Sequence, residues 1–110
     1  KYVEHPSNPI LINPSGARMA GSIVKYNKNL YRFGQNNIDS YGNGIDIFEI
    51  QIINKQMYKE TYFKSVGFSN AKGPHTIDIL KDRMVVDYYN KKFSLLSGIR
   101  RIRSSLKSNV

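Results

Sequence analysis

The chain has 110 residues, of which 40% are hydrophobic and 12% aromatic, which is enough for one folded domain with a single compact core. It contains no cysteine, so disulfides, thiolate metal sites and cysteine nucleophiles are excluded, and a reducing, cytoplasmic location is favoured. The net charge of +9 favours polyanionic partners such as nucleic acid, although we expect the bases scattered between Lys25 and Lys92 to be solvated surface charge.

The first part of the chain predicts an irregular loop followed by a β-hairpin. Residues 1–14 hold three of the four prolines, which lack backbone donors, so we expect an irregular loop over residues 1–17. Residues 21–26 and 30–35 are rich in apolar and aromatic side chains and flank a turn at Asn27, Lys28 and Asn29. This pattern is typical of two antiparallel strands.

The rest of the chain predicts further strands. After a polar loop over residues 36–44, the β-branched side chains of residues 45–53 indicate a central strand, and residues 58–66 an outer strand. A second hairpin is predicted from residues 75–80 and 83–89 around a turn at Lys81 and Asp82. Residues 94–110 are basic and could form a short amphipathic helix. No apolar run approaches the roughly 20 residues that span a bilayer, so we expect a soluble protein without a membrane span.

The two predicted hairpins look like one repeated unit. Each has an apolar strand, a short polar turn and a return strand rich in tyrosine, and their spacing suits a propeller blade plus a loop. We therefore predict an all-β fold of antiparallel sheets, in which residues 18–66 form one blade and residues 75–93 part of the next. Residues 94–110 would be a basic tail, and the single domain 1–110 would be a fragment of a larger β-propeller.

Five motifs carry a resemblance to a known family. They occur in the order His5-Pro6-Ser7-Asn8-Pro9, Ala17-Arg18-Met19-Ala20-Gly21, Tyr31-Arg32-Phe33-Gly34-Gln35-Asn36, Tyr41-Gly42-Asn43-Gly44 and Gly73-Pro74-His75-Thr76. Together they resemble the propeller domain of the glucosamine inositolphosphorylceramide transferase family and its bacterial relatives, which is similar to the five-bladed propellers of glycoside hydrolase family forty-three. The resemblance covers residues 4–93 and implies the C-terminal blades of such a propeller, with upstream blades or a transferase domain as partners. It also implies a carbohydrate or sugar-containing ligand.

Five residues are candidates for contact with the sugar. Arg18 and His75 would each open the innermost strand of a blade, and such strands line the axial channel where propellers place their sites. The Arg18 guanidinium could bind sugar hydroxyls or a phosphate, and the His75 imidazole could bind a hydroxyl. Gln35, Asn36 and Tyr41 supply the amides and the phenol that orient a neutral polyol and stack on it. Each candidate also has a structural alternative, such as an ion pair between blades for Arg18.

Catalysis is left open by the sequence. Glycoside hydrolysis needs two carboxyl groups on either side of the scissile bond, and no pair of acidic residues stands out by spacing. We therefore expect an incomplete catalytic set in this chain, whether the whole is glycoside hydrolase-like or associated with a glycosyltransferase. Asp87 ends a Val-Val-Asp strand and is interpreted as structural. No metal-ligand cluster, glycine-rich phosphate loop or cofactor motif is visible, so neither a metal nor a cofactor is expected.

Two other classes of function remain as alternatives. The segment could serve only to close a propeller against a transferase domain. It could also be a small basic β-module that binds nucleic acid, with Arg100 to Lys107 contacting phosphates, although no RNA-binding signature interleaves basic and aromatic residues. The aromatic side chains on which bases would then stack are Tyr26, Tyr31, Phe33, Tyr88 and Tyr89.

Overall fold

A computed structural model describes residues 1–39, 43–68 and 72–89 of the chain. Within these residues the strands are antiparallel and no helix occurs, which confirms the all-β prediction. The predicted C-terminal helix and basic tail, and Tyr41, lie outside the described residues. In the described part of the chain, no helix is long and apolar enough to cross a membrane. The strands are β1 (Val24–Tyr26), β2 (Asn29–Asn36), β3 (Gly44–Ile53), β4 (Tyr58–Val66), β5 (Ile77–Leu80) and β6 (Arg83–Val86).

The first four strands form one sheet in chain order, β1-β2-β3-β4, each antiparallel to the next. Asn27 and Lys28 join β1 to β2 with φ angles of 45° and 72°, the positive values that a two-residue type I′ turn requires. β4 pairs with β3 with two shifts of register, which twist the outer strand. The central and outer strands predicted from the sequence are therefore present with nearly the predicted bounds.

The strand predicted for residues 21–26 is shorter because the chain bends after Ala20. The N–H of Ala20 still donates to the carbonyl of Phe33 on β2 at 2.8 Å, and its carbonyl accepts the N–H of Ile77 at 2.6 Å. A Cβ atom at Gly21 would overlap the backbone carbonyl of Ile77, so the second hairpin can approach this closely only because residue 21 is glycine. The bend thus places residues 18–20 between β2 and the start of β5.

The second hairpin consists of β5 and β6, joined by a turn in which Lys81 has a φ of 53°. β6 ends at Val86 instead of continuing to residue 89 as predicted. The reason is local, since the carboxylate of Asp87 accepts the backbone N–H of Thr76 at 2.6 Å and removes that donor from the ladder. The side chain of Asp87 therefore defines where the hairpin begins.

Both faces of the sheet are covered where β2 and β3 pair, whereas most of β1 and β4 is exposed. Phe33 on β2 and Ile47 on β3 are cross-strand partners and point to the second hairpin. Arg32 and its partner Phe48 lie on the other face, where the N-terminal loop approaches so closely that a Cβ atom at Gly16 would overlap the Phe48 ring. The hydrophobic core lies on the first face and consists of Ala20, Phe33, Ile45 and Ile77, with Val24, Ile47 and Val86 packed against it.

Candidate functional site

Three of the predicted site residues come together at the end of β2 that is distant from the β1–β2 turn. Gln35 lies at the centre of this group and is 4% exposed. Its backbone N–H donates to the carbonyl of Arg18 at 2.8 Å, and its side-chain Nε2 donates to the carbonyl of His75, also at 2.8 Å. Two segments that are far apart in the sequence, around Arg18 and around His75, are therefore fastened to the same strand residue.

The orientation of the Gln35 amide follows from this contact. A flipped amide would set its oxygen against the carbonyl oxygen of His75, so the nitrogen must be the atom that faces His75. Within the described residues, the buried Oε1 atom of Gln35 has no hydrogen-bond partner. The Gln35 amide is therefore buried and holds the backbone of His75, whereas the side chain of Arg18 is exposed and that of His75 is partly exposed.

The imidazole of His75 is oriented by Asp87. Nδ1 lies 2.9 Å from the Asp87 carboxylate and 3.2 Å from the carbonyl of Gly73, and because both are acceptors, Nδ1 carries a proton. Burial acts to raise the pKa of Asp87, but the side chain and N–H of Thr76 and the N–H of His75 outweigh it and hold that pKa below its ordinary value. Asp87 is therefore an ionised group that fixes both the backbone and the ring of His75.

A cavity of about 330 Å³ lies between residues 20–22 and the second hairpin, and it is lined by Asp87 but not by Arg18, Gln35 or His75. Its volume is within the range of small-molecule sites. Ala20, Ile77 and Val85 supply its apolar lining, and its hydroxyl and carboxylate groups are of the kind that hydrogen-bond to the hydroxyls of a sugar. Sequence reasoning missed most of these groups, because single Ser and Thr residues next to strands carry no distinctive signal. The polar lining consists of Ser22, Thr76, Asp78 and Asp87.

Asn36 lies at the same end of the sheet but on the opposite face from Gln35. Its Nδ2 donates to both carboxylate oxygens of Asp46 at 3.2 Å, and its Oδ1 accepts the N–H of Ile38. Asp46 is 6% exposed and also accepts a hydrogen bond from the hydroxyl of Ser65. The structure therefore joins Asn36 to a buried carboxylate and does not bring its side chain to the Arg18, Gln35 and His75 group.

A second polar network lies on the face that the N-terminal loop covers. The prediction that the scattered bases are solvated is wrong for Arg32, which is 4% exposed. Its Nε and Nη2 donate to the two carboxylate oxygens of Glu60 at 2.6 Å, and its Nη1 donates to the carbonyl of Gly16 at 2.9 Å. Its guanidinium also lies 4.4 Å from the centre of the Phe48 ring. Burial acts to lower the pKa of Arg32, but Glu60 outweighs burial and raises it.

Tyr58 completes the network. Its hydroxyl donates to Glu60 at 2.5 Å, next to the contact with Arg32. Burial, together with the hydrogen bond to Glu60 and the charge of that carboxylate, raises the pKa of Tyr58 to about 12. The phenol therefore remains protonated at neutral pH and acts as a donor.

The structure changes the set of aromatic side chains that could stack on the bases of a nucleic acid. Phe33 is 5% exposed and belongs to the core, so its assignment as a stacking platform is wrong. Tyr31 packs against Phe63 with ring centres 5.7 Å apart. Within residues 1–39, 43–68 and 72–89, no group of three His, Cys, Asp or Glu side chains could hold a metal ion.

Comparisons with known proteins place the chain among transferase-related sequences. The family model for "Glucosamine inositolphosphorylceramide transferase 1, N-terminal" matches residues 1–86. Two curated relatives, both glucosamine inositolphosphorylceramide transferase 1, come from Oryza sativa subsp. indica and subsp. japonica. Each is 34% identical over 73 residues, which is 64% of this chain and 10% of the relative, so the chain spans about a tenth of their length. No solved structure matches the chain at a significant level.

Proposed function

We propose that this chain, which belongs to the family of the N-terminal domain of glucosamine inositolphosphorylceramide transferase 1, contributes part of a carbohydrate-binding site. The two rice relatives are named after a sugar, glucosamine, and after a transferase activity. Because the chain spans about a tenth of those relatives, the proposal assigns it a share of sugar binding in a glycosyltransferase-associated protein. The transfer reaction itself is not assigned to these residues.

The observation that carries the proposal is the double contact of Gln35. A single buried side chain and its backbone hold the segments of Arg18 and His75 to one strand end. Two side chains able to hydrogen-bond to hydroxyls are therefore presented from neighbouring backbone positions. Asp87 fixes the ring of His75, so less conformational entropy is lost when a ligand binds.

The proposed roles differ among the candidate residues. Arg18 and His75 contact sugar hydroxyls, and Gln35 positions them. Asn36 lies at the same strand end on the opposite face and would act through its contact with Asp46. Tyr41 is proposed as a further contact with the sugar. Thr76 and Asp87, which line the neighbouring cavity, would contact the same sugar, although Arg18 and His75 do not line that cavity themselves.

The architectural part of the proposal is a five-bladed propeller in which this chain supplies the last blades. The four strands β1 to β4 follow each other in chain order, as in a propeller blade. The hairpin of β5 and β6 packs on that sheet through Ile77, as the beginning of a neighbouring blade would. A glycoside hydrolase-like site would need carboxyl groups from other parts of such a propeller.

The test is a titration of the chain with glucosamine and with myo-inositol, followed by NMR chemical shifts of the backbone amides. Loss of one hydrogen-bond partner that leaves a buried polar group unpaired costs about 1–3 kcal/mol. Arg18→Ala or His75→Ala should therefore weaken binding roughly fivefold to more than a hundredfold. Lys25→Ala, which removes another exposed cation, is the matched control and should leave affinity unchanged.

Thermal stability is measured on the same variants. Reduced affinity at unchanged stability is the expected result. If Arg18→Ala and His75→Ala lower stability but leave affinity unchanged, these residues are structural struts and the site assignment is wrong. Absence of any sugar-dependent shift at residues 18–22 and 75–78 would also contradict the proposal.

A further inference from the structure

A second cavity lies on the face of the sheet that the N-terminal loop covers. It has a volume of about 440 Å³ and lies near the turn between β3 and β4. Ile53 and Tyr58, which pair at that end of the two strands, contribute to its wall. Gln35 pairs with Ile45 at the opposite end of β3, so this cleft is separate from the candidate sugar site.

The walls of the cleft are held in place by contacts that need no ligand. His5 Nε2 lies 3.0 Å from the carbonyl of Asn54, and the hydroxyl of Ser7 donates to the carbonyl of Gln56 at 3.0 Å. These contacts fasten the loop to the β3–β4 turn. The other end of the loop is fastened by the hydrogen bond from Arg32 to the carbonyl of Gly16. A cleft whose walls are fixed beforehand loses little conformational entropy on binding.

The lining of the cleft is mainly aliphatic. Four of its apolar side chains remain between 42% and 53% exposed although they lie side by side around one space. Apolar side chains that line one concave space are typical of sites for small ligands. The aliphatic lining consists of Ile10, Leu11, Ala17, Met19, Ile23 and Ile53.

The polar part of the lining carries no uncompensated charge. The guanidinium of Arg32 is paired with the carboxylate of Glu60 through two contacts, and the two side chains are 5% and 6% exposed. Tyr58 donates its hydroxyl to the same carboxylate and stays neutral. An anionic ligand would have to compete with Glu60 for Arg32, and a cationic ligand would have to compete with Arg32 for Glu60.

From the volume, the aliphatic lining and the compensated charge, we propose that this cleft binds an uncharged alkyl group of a ligand. The hydrocarbon would lie against Ile10, Met19 and Ile53, and a neutral polar end could reach the rim near His5 and Asn54. Binding would be stabilised because apolar surface of the hydrocarbon and of the cleft wall is removed from water. This site does not depend on the proposed carbohydrate site.

The experiment uses the whole chain with isoleucine methyl groups labelled for NMR, titrated with 1-octanol and, separately, with octanoate. We expect saturable shifts of the Ile10, Ile23 and Ile53 methyl groups with 1-octanol and weaker binding of octanoate. Ile53→Asn should weaken 1-octanol binding about tenfold or more, because a polar amide replaces apolar surface in the wall. Ile38→Asn is the matched control, since Ile38 is 66% exposed and lies outside the cleft, and it should change nothing.

Several results would overturn the proposal. One is the absence of any methyl shift up to the solubility limit of 1-octanol, and another is binding of octanoate as tight as that of 1-octanol. A third is an equal effect of Ile53→Asn and Ile38→Asn on 1-octanol binding. The titration is repeated at two protein concentrations and the mass is followed by light scattering. If a second copy of this chain covers the cleft, the chain will be dimeric and octanol binding will weaken as protein concentration rises, which contradicts an open alkyl site. Loss of 1-octanol binding in Ile53→Asn with sugar binding retained would separate the two sites.

Discussion

Replacing Glu60 with glutamine tests whether the buried ion pair is a main support of the fold. The Arg32 and Glu60 side chains are 5% and 6% exposed and approach to 2.6 Å. Glutamine keeps the shape of the side chain but leaves the charge of Arg32 in the interior without a counter-charge. Removing one partner of a buried ion pair costs about 3–5 kcal/mol, and we expect the free energy of unfolding to fall by an amount in that range.

A loss of this size approaches the total stability of a small domain, which begins at about 5 kcal/mol. The free energy of unfolding is therefore measured by urea titration near 10 °C, close to the usual temperature of maximum stability, and followed by circular dichroism. Glu49→Gln on the neighbouring strand β3 is the control and should change the free energy of unfolding by no more than about 0.5 kcal/mol. Glu60→Gln leaves the carbonyl of Gly16 available as an acceptor for Arg32. Faster proteolysis of residues 1–17 in this variant would therefore show that the guanidinium has moved away from that carbonyl.

A double variant separates the charge from the packing. Arg32→Met combined with Glu60→Met removes both charges, and the free energy of unfolding should recover most of the loss seen in Glu60→Gln. A loss below about 1 kcal/mol in Glu60→Gln, the value typical of an exposed pair, would refute the reasoning. A double variant less stable than the single one would refute it as well, because packing and not an unpaired charge would then explain the loss.

The pH dependence of stability gives two further predictions. The pKa of Tyr58 is raised from 10.0 to about 12, so its stabilising contribution is complete below pH 10 and is lost as the pH rises toward 12. The difference in unfolding midpoint between the wild type and Tyr58→Phe should therefore shrink over that interval. A constant difference would contradict the assignment. The pKa of Asp87 is lowered from 3.8, so its contribution to stability is present above about pH 4 and is lost as the pH falls below that. The thermal midpoints of the wild type and Asp87→Asn should therefore converge in acid. Equal midpoints at pH 7 would show that the contacts with Thr76 do not stabilise the hairpin.

The parts of the fold that could be predicted are those with a local cause. The turn at Asn27 and Lys28 follows from residues that tolerate positive φ angles, and the structure has such angles at both positions. The β-branched run of residues 45–53 indicated a central strand, and β3 is paired on both sides. The errors at strand ends, in contrast, come from contacts that the local sequence does not show, such as the close approach of Ile77 to Gly21. The first strand is shortened by the bend at Gly21, and the last by the carboxylate of Asp87.

The parts that could not be predicted depend on pairing over long separations. Arg32 and Glu60 are 28 positions apart, and nothing in the sequence distinguishes this carboxylate from the seven others until the register of β2, β3 and β4 is known. The same holds for Gln35 and His75, which are 40 positions apart. The resemblance supplied Gln35 and His75 as candidates. Only the structure shows that Gln35 is buried and that its side chain holds the backbone of His75. The division into blades stays a prediction, as does the role of Tyr41.

Strand β2 organises both candidate sites because side chains alternate along it. Arg32 points to the face that the N-terminal loop covers, and its network fixes the wall of the alkyl cleft. Phe33 points to the other face and belongs to the core, and Gln35, two residues further along, lies on that same face and holds the segment that carries His75. A shift of β2 by one residue against β3 would exchange the two faces, burying a charged group in the core and removing the contact between Gln35 and His75. The register of β2 therefore stabilises the fold and defines both candidate sites at once, since the buried polar side chains of Arg32 and Gln35 lie on opposite faces of that strand.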